Sequence, residues 1–145
     1  MPLPDDAVEA RAHGWRTLAA LHARIEDRLE HALQADHDLS VSEFTVLDVL
    51  SRQDGWYMRM QQLSRAVVLS QSATTRLVSR LEGRGLLSRY LCEDDRRGIY
   101  TEVTPSGRDL LARARPTHDT VLKETLDEAL DVPELVPLAR VVASL

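Results

Sequence analysis

Five side chains in the middle of this 145-residue sequence combine positive charge and hydroxyl groups at helical spacing. They are Ser72, Thr75, Arg76, Ser79 and Arg80. On a helix they share one face, and the opposite face carries Thr74, Leu77, Val78 and Leu81. Because arginine can donate two hydrogen bonds to guanine and hydroxyls reach phosphates, the first face suits the major groove of duplex DNA. An ordinary solvated face would mix both charge signs, whereas Glu82, the one acid of this helix, lies beyond its rim.

Charge is segregated along the chain. The sequence has a net charge of −5, yet residues 59–97 contain eight arginines and four acidic residues, a net charge of +4. The rest of the chain therefore carries −9. A basic segment between acidic flanks can concentrate a large anion, such as a phosphate backbone, at one surface.

Apolar periodicity and capping residues predict about six helices. The first runs from about Asp5 to Gln34, and a capping box at 40–43 opens the second. A short third helix at about 61–66 is followed by a tight connection at 67–69. Ser70 is the expected N-cap of the fourth helix, whose end is marked by two glycines at positions 83 and 85.

One β-hairpin is predicted after the fourth helix. Extended segments at 86–92 and 99–103 flank a charged tip at 93–98, with Gly98 at a turn position. Thr104 caps a fifth helix that bends at Pro116, and a sixth helix opens near position 133. A helix, a tight turn, a second helix and a hairpin form the layout of a winged helix-turn-helix. We therefore expect a mainly α fold, an α+β winged helix with a two-stranded wing.

Two segments resemble the MarR family of winged helix-turn-helix transcription regulators. Residues 69–86 are similar to the family's recognition helix and the chain that enters its wing. Asp95-Arg96-Arg97, followed by Val103-Thr104 and Gly107, is similar to its wing signature. The chain length, the long first helix and the two C-terminal helices also agree, so the resemblance covers nearly the whole chain.

The resemblance implies an intertwined homodimer in which separate parts of the chain dimerise and bind DNA. Residues 1–39 and 105–145 would form a dimerisation lobe, and residues 40–104 a DNA-binding lobe. Ser70 and Gln71 would join the helix face described above in binding DNA. Arg96 and Arg97 would act from the wing, where Asp95 positions Arg97 for the minor groove. A carboxylate two residues away can orient a guanidinium without occupying all its donors, and a narrow minor groove attracts arginine. A solvent-exposed ion pair with no ligand is the alternative reading of the wing.

Apolar residues near the C-terminus give a separate argument for dimerisation. Leu135, Leu138, Val142 and Leu145 on a short helix would stay partly exposed in a monomer, and pairing across a two-fold axis would cover them. Such a dimer would space two recognition helices by about 34–36 Å, which suits a pseudo-palindromic operator. The sequence thus predicts a dimeric regulator, most simply a repressor.

Members of this family often respond to a small aromatic or anionic effector bound between the lobes. The candidate binding residues here are Trp15, Arg16, His22, Trp56 and Tyr57. Trp15 and His22 are seven residues apart on one helix face, so both also fit an ordinary core or dimer seam.

Other functions find less support in the residues. The single cysteine, Cys92, permits a thiol-based redox sensor as an alternative, although neighbouring arginines and acids oppose each other in shifting its pKa. The histidines lack metal-ligand spacing, and no phosphate-binding loop, nucleophile elbow or carboxylate pair indicates an enzyme. We expect no cofactor and no metal, and a winged-helix module that binds protein remains the other alternative. The N-terminal stretch lacks a secretory apolar region and no apolar run is long enough to span a membrane, so a cytoplasmic location is expected.

Overall fold

The structure of the chain is a computed structural model that describes residues 5–92 and 94–145. The side chains of residues 5, 92 and 95–97 lie outside this description. Six α-helices are present in the described residues: α1 (Asp5–His37), α2 (Val41–Ser51), α3 (Met60–Ala66), α4 (Gln71–Gly83), α5 (Pro105–Ala129) and α6 (Val136–Ser144). The predicted number and order of helices are therefore confirmed, and no helix in this part of the chain is both long and apolar enough to cross a membrane.

The sheet has three antiparallel strands rather than the two that the sequence predicted. They are β1 (Tyr57–Arg59), β2 (Leu87–Cys92) and β3 (Asp95–Val103), in the spatial order β1-β3-β2. Strand β1 was missed because it has only three residues, and its register is set by its pairing with β3, where Arg59 faces Tyr100. A single Tyr100 ring thereby lies between the rings of Tyr57 and Tyr90, each with its centroid 5.8 Å away.

The predicted boundaries of the wing were also wrong. Strand β3 begins at Asp95 instead of Ile99, so Gly98 lies within a strand and not at a turn. The register passes from Leu91 opposite Ile99 directly to Cys92 opposite Asp95. Three residues of β3 therefore have no counterpart in β2, and this bulge replaces part of the tip expected at 93–98.

The chain divides into two compact units, Leu33–Pro116 and Met1–Ala32 with Thr117–Leu145. Both boundaries fall inside helices, within α1 and at the proline of α5, through which the helix runs without interruption. The assignment of DNA binding and dimerisation to separate lobes stays a prediction.

In the unit formed by the two ends of the chain, a small apolar cluster joins α1 to the C-terminal segment. Its buried members are Leu21, Ala129, Leu135 and Ala139. Leu135 is only 5% exposed, so the expectation that it would stay partly exposed in a monomer was wrong. Its side chain stabilises its own unit, whereas Val142 and Leu145 are exposed as expected.

In the unit of residues 33–116, α4 packs through one apolar face. Leu77, Val78 and Leu81 are at most 3% exposed, and Thr74 is fully buried beside them. The Thr74 hydroxyl donates a hydrogen bond to the Ser70 carbonyl oxygen, which satisfies its buried donor. These four residues are the ones whose helical spacing predicted an inward face.

The tight connection before α4 contains a strained residue. Val68 has a φ of 56°, a left-handed conformation that is unfavourable for a β-branched side chain, and it is 86% exposed. The Leu69 amide nevertheless donates to the Ser64 carbonyl, and the Val67 amide to that of Leu63. Main-chain hydrogen bonds thus hold the turn that sets α4 against α3.

A carboxylate on α4 fixes the position of strand β2. One Glu82 oxygen accepts from the Arg89 backbone amide at 3.0 Å, and the other from the Arg89 guanidinium, also at 3.0 Å. These hydrogen bonds hold the pKa of the Glu82 carboxyl below its ordinary value. The wing is therefore attached to α4 by a charged, two-point contact.

Two further arginines join helices within the same unit. Arg84, directly after α4, donates to the Asp38 carbonyl at 2.7 Å and lies 3.4 Å from the Glu43 carboxylate. Arg115 on α5 donates to Asp48 and Ser51 of α2 at 2.9 and 2.8 Å. Both ends of α2 are thus connected to neighbouring elements.

The start of α5 packs closely against the chain that leaves α4. Thr104 caps the helix as predicted, since its hydroxyl accepts from the Gly107 amide at 3.1 Å and donates to the Gly85 carbonyl. A Cβ on Gly107 would collide with the Leu86 carbonyl oxygen and lie 2.7 Å from Val103 Cγ1. Only glycine fits at this crossing.

We predict that Gly107→Ala destabilises the protein by about 1–3 kcal/mol, the usual range for overpacking a tight site. Chemical denaturation followed by circular dichroism measures the effect. Gly14→Ala is the matched control, because no atom lies within 4 Å of a Cβ there and alanine favours a helix. Equal stability changes in the two variants would contradict the close packing of Gly107.

A second prediction concerns acid stability. Because the Glu82 pKa is lowered in the folded state, the contact with Arg89 contributes above the ordinary pKa of about 4.5 and is lost as the pH falls through the lower folded value. The stability difference between the wild type and Glu82→Gln should therefore shrink when unfolding is measured from pH 7 down to pH 3. A difference that stays constant over this range would show that the Glu82 charge does not hold the wing.

Candidate nucleic-acid interface

The N-terminus of α4 is built as the sequence predicted. Ser70 has extended backbone angles, and its hydroxyl oxygen accepts from the Ala73 amide at 3.1 Å. The Thr75 hydroxyl donates to the Gln71 carbonyl, so it turns back onto its own helix. The cap fixes where the helix begins and leaves the first-turn side chains on the surface.

The outward face of α4 presents every side chain that the sequence assigned to it. The exposed residues of this face are Gln71, Ser72, Thr75, Arg76, Ser79 and Arg80. Within the part of the chain that the structure describes, no carboxylate lies within ion-pair distance of Arg76 or Arg80. This face therefore offers two guanidinium groups and several hydroxyls without an internal negative charge.

The basic segment contributes less free charge than its composition implied. Arg84 and Arg89 form the ion pairs with Glu43 and Glu82 described above. Arg59 donates from Nε to the Tyr100 hydroxyl at 3.1 Å, and its guanidinium carbon lies 5.7 Å from that ring's centroid. No local sequence signal identified these contacts, because each joins residues of different elements.

The wing residues of the predicted site can be placed only by their backbone. Asp95, Arg96 and Arg97 form the first residues of β3, and their side chains lie outside the described residues. The same holds for the thiol of Cys92, the last residue of β2. The roles predicted for these four residues in DNA binding and redox sensing stay predictions.

Three of the five candidate effector residues belong to α1. Trp15 is 68% exposed, Arg16 lies 2.7 Å from Glu9, and His22 Nε2 is 3.6 Å from the Glu26 carboxylate. Arg16 also lines an open depression of about 350 Å³, to which Leu135 contributes from the C-terminal segment. Trp15 and His22 are not among the residues that line it.

The other two candidates, Trp56 and Tyr57, belong to the unit of residues 33–116. The Trp56 ring faces the guanidinium of Arg108, whose central carbon is 4.3 Å from the ring centroid. Sequence reasoning missed Arg108, because this contact joins a loop to the start of α5. Tyr57 is 43% exposed and packs against Tyr100, so an aromatic pair accounts for its position without a ligand. In the described residues, no group of three or more His, Cys, Asp or Glu side chains is arranged to hold a metal ion.

Comparison with known proteins shows which family these features resemble. Residues 37–98 match the model of the MarR family, a range that contains α2, α3, α4 and most of the wing. The chain is 28% identical to the HTH-type transcriptional regulator MhqR of Bacillus subtilis over 109 residues. That match covers 75% of this chain and 73% of MhqR.

Solved structures extend the similarity to nearly the full length. AbsC, a MarR family transcriptional regulator from Streptomyces coelicolor, superposes with a TM-score of 0.76 at 27% identity, covering 98% of this chain and 93% of AbsC. Sco3205, from the same organism and solved in complex with DNA, shares the fold with a TM-score of 0.77 at 23% identity, covering 99% of this chain and 87% of Sco3205. The family match over residues 37–98, the relatives and the winged helix with its basic helix face agree, and the chain is similar to the MarR family of winged helix-turn-helix transcription regulators.

Proposed function

We propose that this chain represses transcription by binding a pseudo-palindromic operator as a homodimer, with α4 of each protomer in the major groove. The observation that carries the proposal is the outward face of α4, where Arg76 and Arg80 are exposed among hydroxyl groups, with no carboxylate of the described residues beside them. A protein that binds the chromosome must be in the compartment that contains the chromosome. This requirement supports the cytoplasmic location expected from the sequence.

The chemistry of the face divides its contacts into two kinds. Arginine side chains can donate two parallel hydrogen bonds to guanine O6 and N7, which discriminates between base pairs. Gln71 and Ser72 at the helix N-terminus, with Ser79, can donate to phosphates and so fix the register of the protein on the duplex. Ser70 and Thr75 border these donors, and their hydroxyls already make hydrogen bonds with the helix backbone. Arg76, at the centre of the face, is our candidate for direct base contact.

The wing supplies the second contact in this proposal. The backbone of β3 begins at Asp95, and the Glu82–Arg89 contact attaches the neighbouring strand to α4. A wing attached in this way moves with the recognition helix. Arg97, oriented by Asp95, would then enter the minor groove next to the major-groove site, with Arg96 at the adjacent phosphates.

Exposed apolar side chains support the homodimer. In the unit formed by the two ends of the chain, Trp15 is 68%, Val141 51% and Leu145 97% exposed, and Val8, Leu18 and Val142 are also exposed. Covering such side chains across a two-fold axis is a common solution in symmetric oligomers. The dimer would also bring two copies of α4 to one duplex.

The proposal includes regulation by a small aromatic or anionic effector, because such regulation is typical of the MarR family. Two of the aromatic candidate residues, Trp15 and Tyr57, are exposed, and Arg108 adds a cation beside the Trp56 ring. An effector that binds one spacing of the two α4 helices better than another would shift the population away from the DNA-competent dimer.

Replacement of the arginines tests DNA binding. Arg76→Ala should weaken operator binding by about 1–3 kcal/mol and relax specificity at one base position. Arg97→Ala should weaken binding to all sequences alike and lower the slope of log affinity against log salt by about 1. Fluorescence anisotropy with the DNA that flanks the gene, titrated at several salt concentrations, measures both effects.

Arg113→Ala is the matched control, because it removes the same charge from an exposed position on α5, away from the α4 face. It should leave affinity nearly unchanged. If Arg76→Ala and Arg97→Ala both bind as the wild type does, the groove assignment fails. An affinity that does not depend on salt would instead favour a winged-helix module that binds protein.

Substitution on α6 tests the dimer. Val141→Asp would place a charge in the covered surface, and we expect sedimentation equilibrium to show a monomer where the wild type is a dimer. Val68→Asp makes the same substitution at a position that is 86% exposed in the other unit and should leave the dimer intact. A wild-type protein that sediments as a monomer at micromolar concentration would contradict this part of the proposal.

A further inference from the structure

An apolar stripe runs along one edge of the outward face of α4 and continues to the residue before its N-cap. It consists of Leu69, Ala73 and Leu77: the last two lie four residues apart on the helix, and Leu69 directly precedes the N-cap Ser70. Their exposure decreases along the helix: Leu69 is 38% exposed, Ala73 is half-buried and Leu77 is 3% exposed. The stripe therefore reaches the surface at the N-terminal end of α4 and joins the core at its middle.

The stripe forms the apolar part of a surface depression. Leu69, Ala73 and Leu77 line it together with Ser42 of α2, and Arg76 and Arg80 supply positive charge at the same depression. Apolar side chains exposed singly are common on proteins and call for no explanation. Here they are aligned beside two guanidinium groups that have no carboxylate partner among the described residues. This combination indicates a ligand that carries both negative charge and an apolar group.

We propose that Leu69 and Ala73 contact the 5-methyl group of a thymine beside the base that Arg76 reads. The proposal rests on the proposed function, since it requires α4 in the major groove. Among the four standard bases, thymine alone presents an apolar group on the major-groove edge, and alanine and similar side chains are suited to it. Arg76 lies one helical turn beyond Ala73, so a guanidinium contact and a methyl contact fall on neighbouring base pairs. The structure thus assigns α4 two kinds of base contact, one polar and one apolar.

Replacement of single thymines by deoxyuridine tests the proposal, because it removes the methyl group and keeps every hydrogen-bonding atom. The operator duplex is first selected from a random pool with the wild-type protein, and affinity is then measured by fluorescence anisotropy for each replacement. We expect a loss of about fourfold at one or two positions in each half-site, the factor that corresponds to one buried methyl group. In Leu69→Ala or Ala73→Gly, the same replacement should have little effect.

Val68→Ala is the matched control, since Val68 is 86% exposed and next to Leu69 but does not line the depression. It should keep the fourfold loss, and circular dichroism confirms that each variant is folded. The proposal is overturned if uracil is tolerated at every position. It is also overturned if Leu69→Ala and Ala73→Gly both lose affinity on replacement as the wild type does. Failure to select any duplex would refute the proposed function itself, and the thymine contact with it.

Discussion

Burial of one face of α4 is the constraint on which the rest of the unit of residues 33–116 depends. Leu77, Val78 and Leu81 are almost completely removed from solvent, and helical periodicity then turns the opposite side chains outward. The composition of the outward face is therefore free to serve a ligand, because the inward face already provides the packing. Ser70 contributes by capping the helix at one position, which fixes the register of both faces.

The charges of the basic segment have two different uses. Arg84 and Arg89 connect α4 to the loop before α2 and to the wing, through partners that are partly shielded from solvent. Arg76 and Arg80, by contrast, are exposed on the outward face of α4. Net charge alone cannot separate these uses, since both kinds of arginine count equally in the sequence. The charge available to a nucleic acid is consequently smaller than the segment's total, but it is concentrated on one helix face.

Features that depend on a few consecutive residues could be predicted from the sequence. The capping box at Ser40, the cap at Thr104 and the left-handed glycine at position 85 are all present as expected. Features that depend on distant partners could not. Strand β1 exists only because it pairs with β3, and the Glu82–Arg89 contact joins a helix to a strand. Tyr57 was predicted to bind an effector because it is aromatic, yet its ring packs in a row with those of Tyr100 and Tyr90.

The position of Glu82 has a consequence for association between chains. Strand β2 is an outer strand of the sheet, so its outward-facing backbone amides are open to pairing with a strand from another molecule. The Glu82 carboxylate accepts a hydrogen bond from the Arg89 amide at the middle of that edge, so this amide is no longer available to another strand. The residue that attaches the wing to α4 thereby also discourages edge-to-edge aggregation. In the homodimer proposed above, association through one surface is in this way kept separate from polymerisation through another.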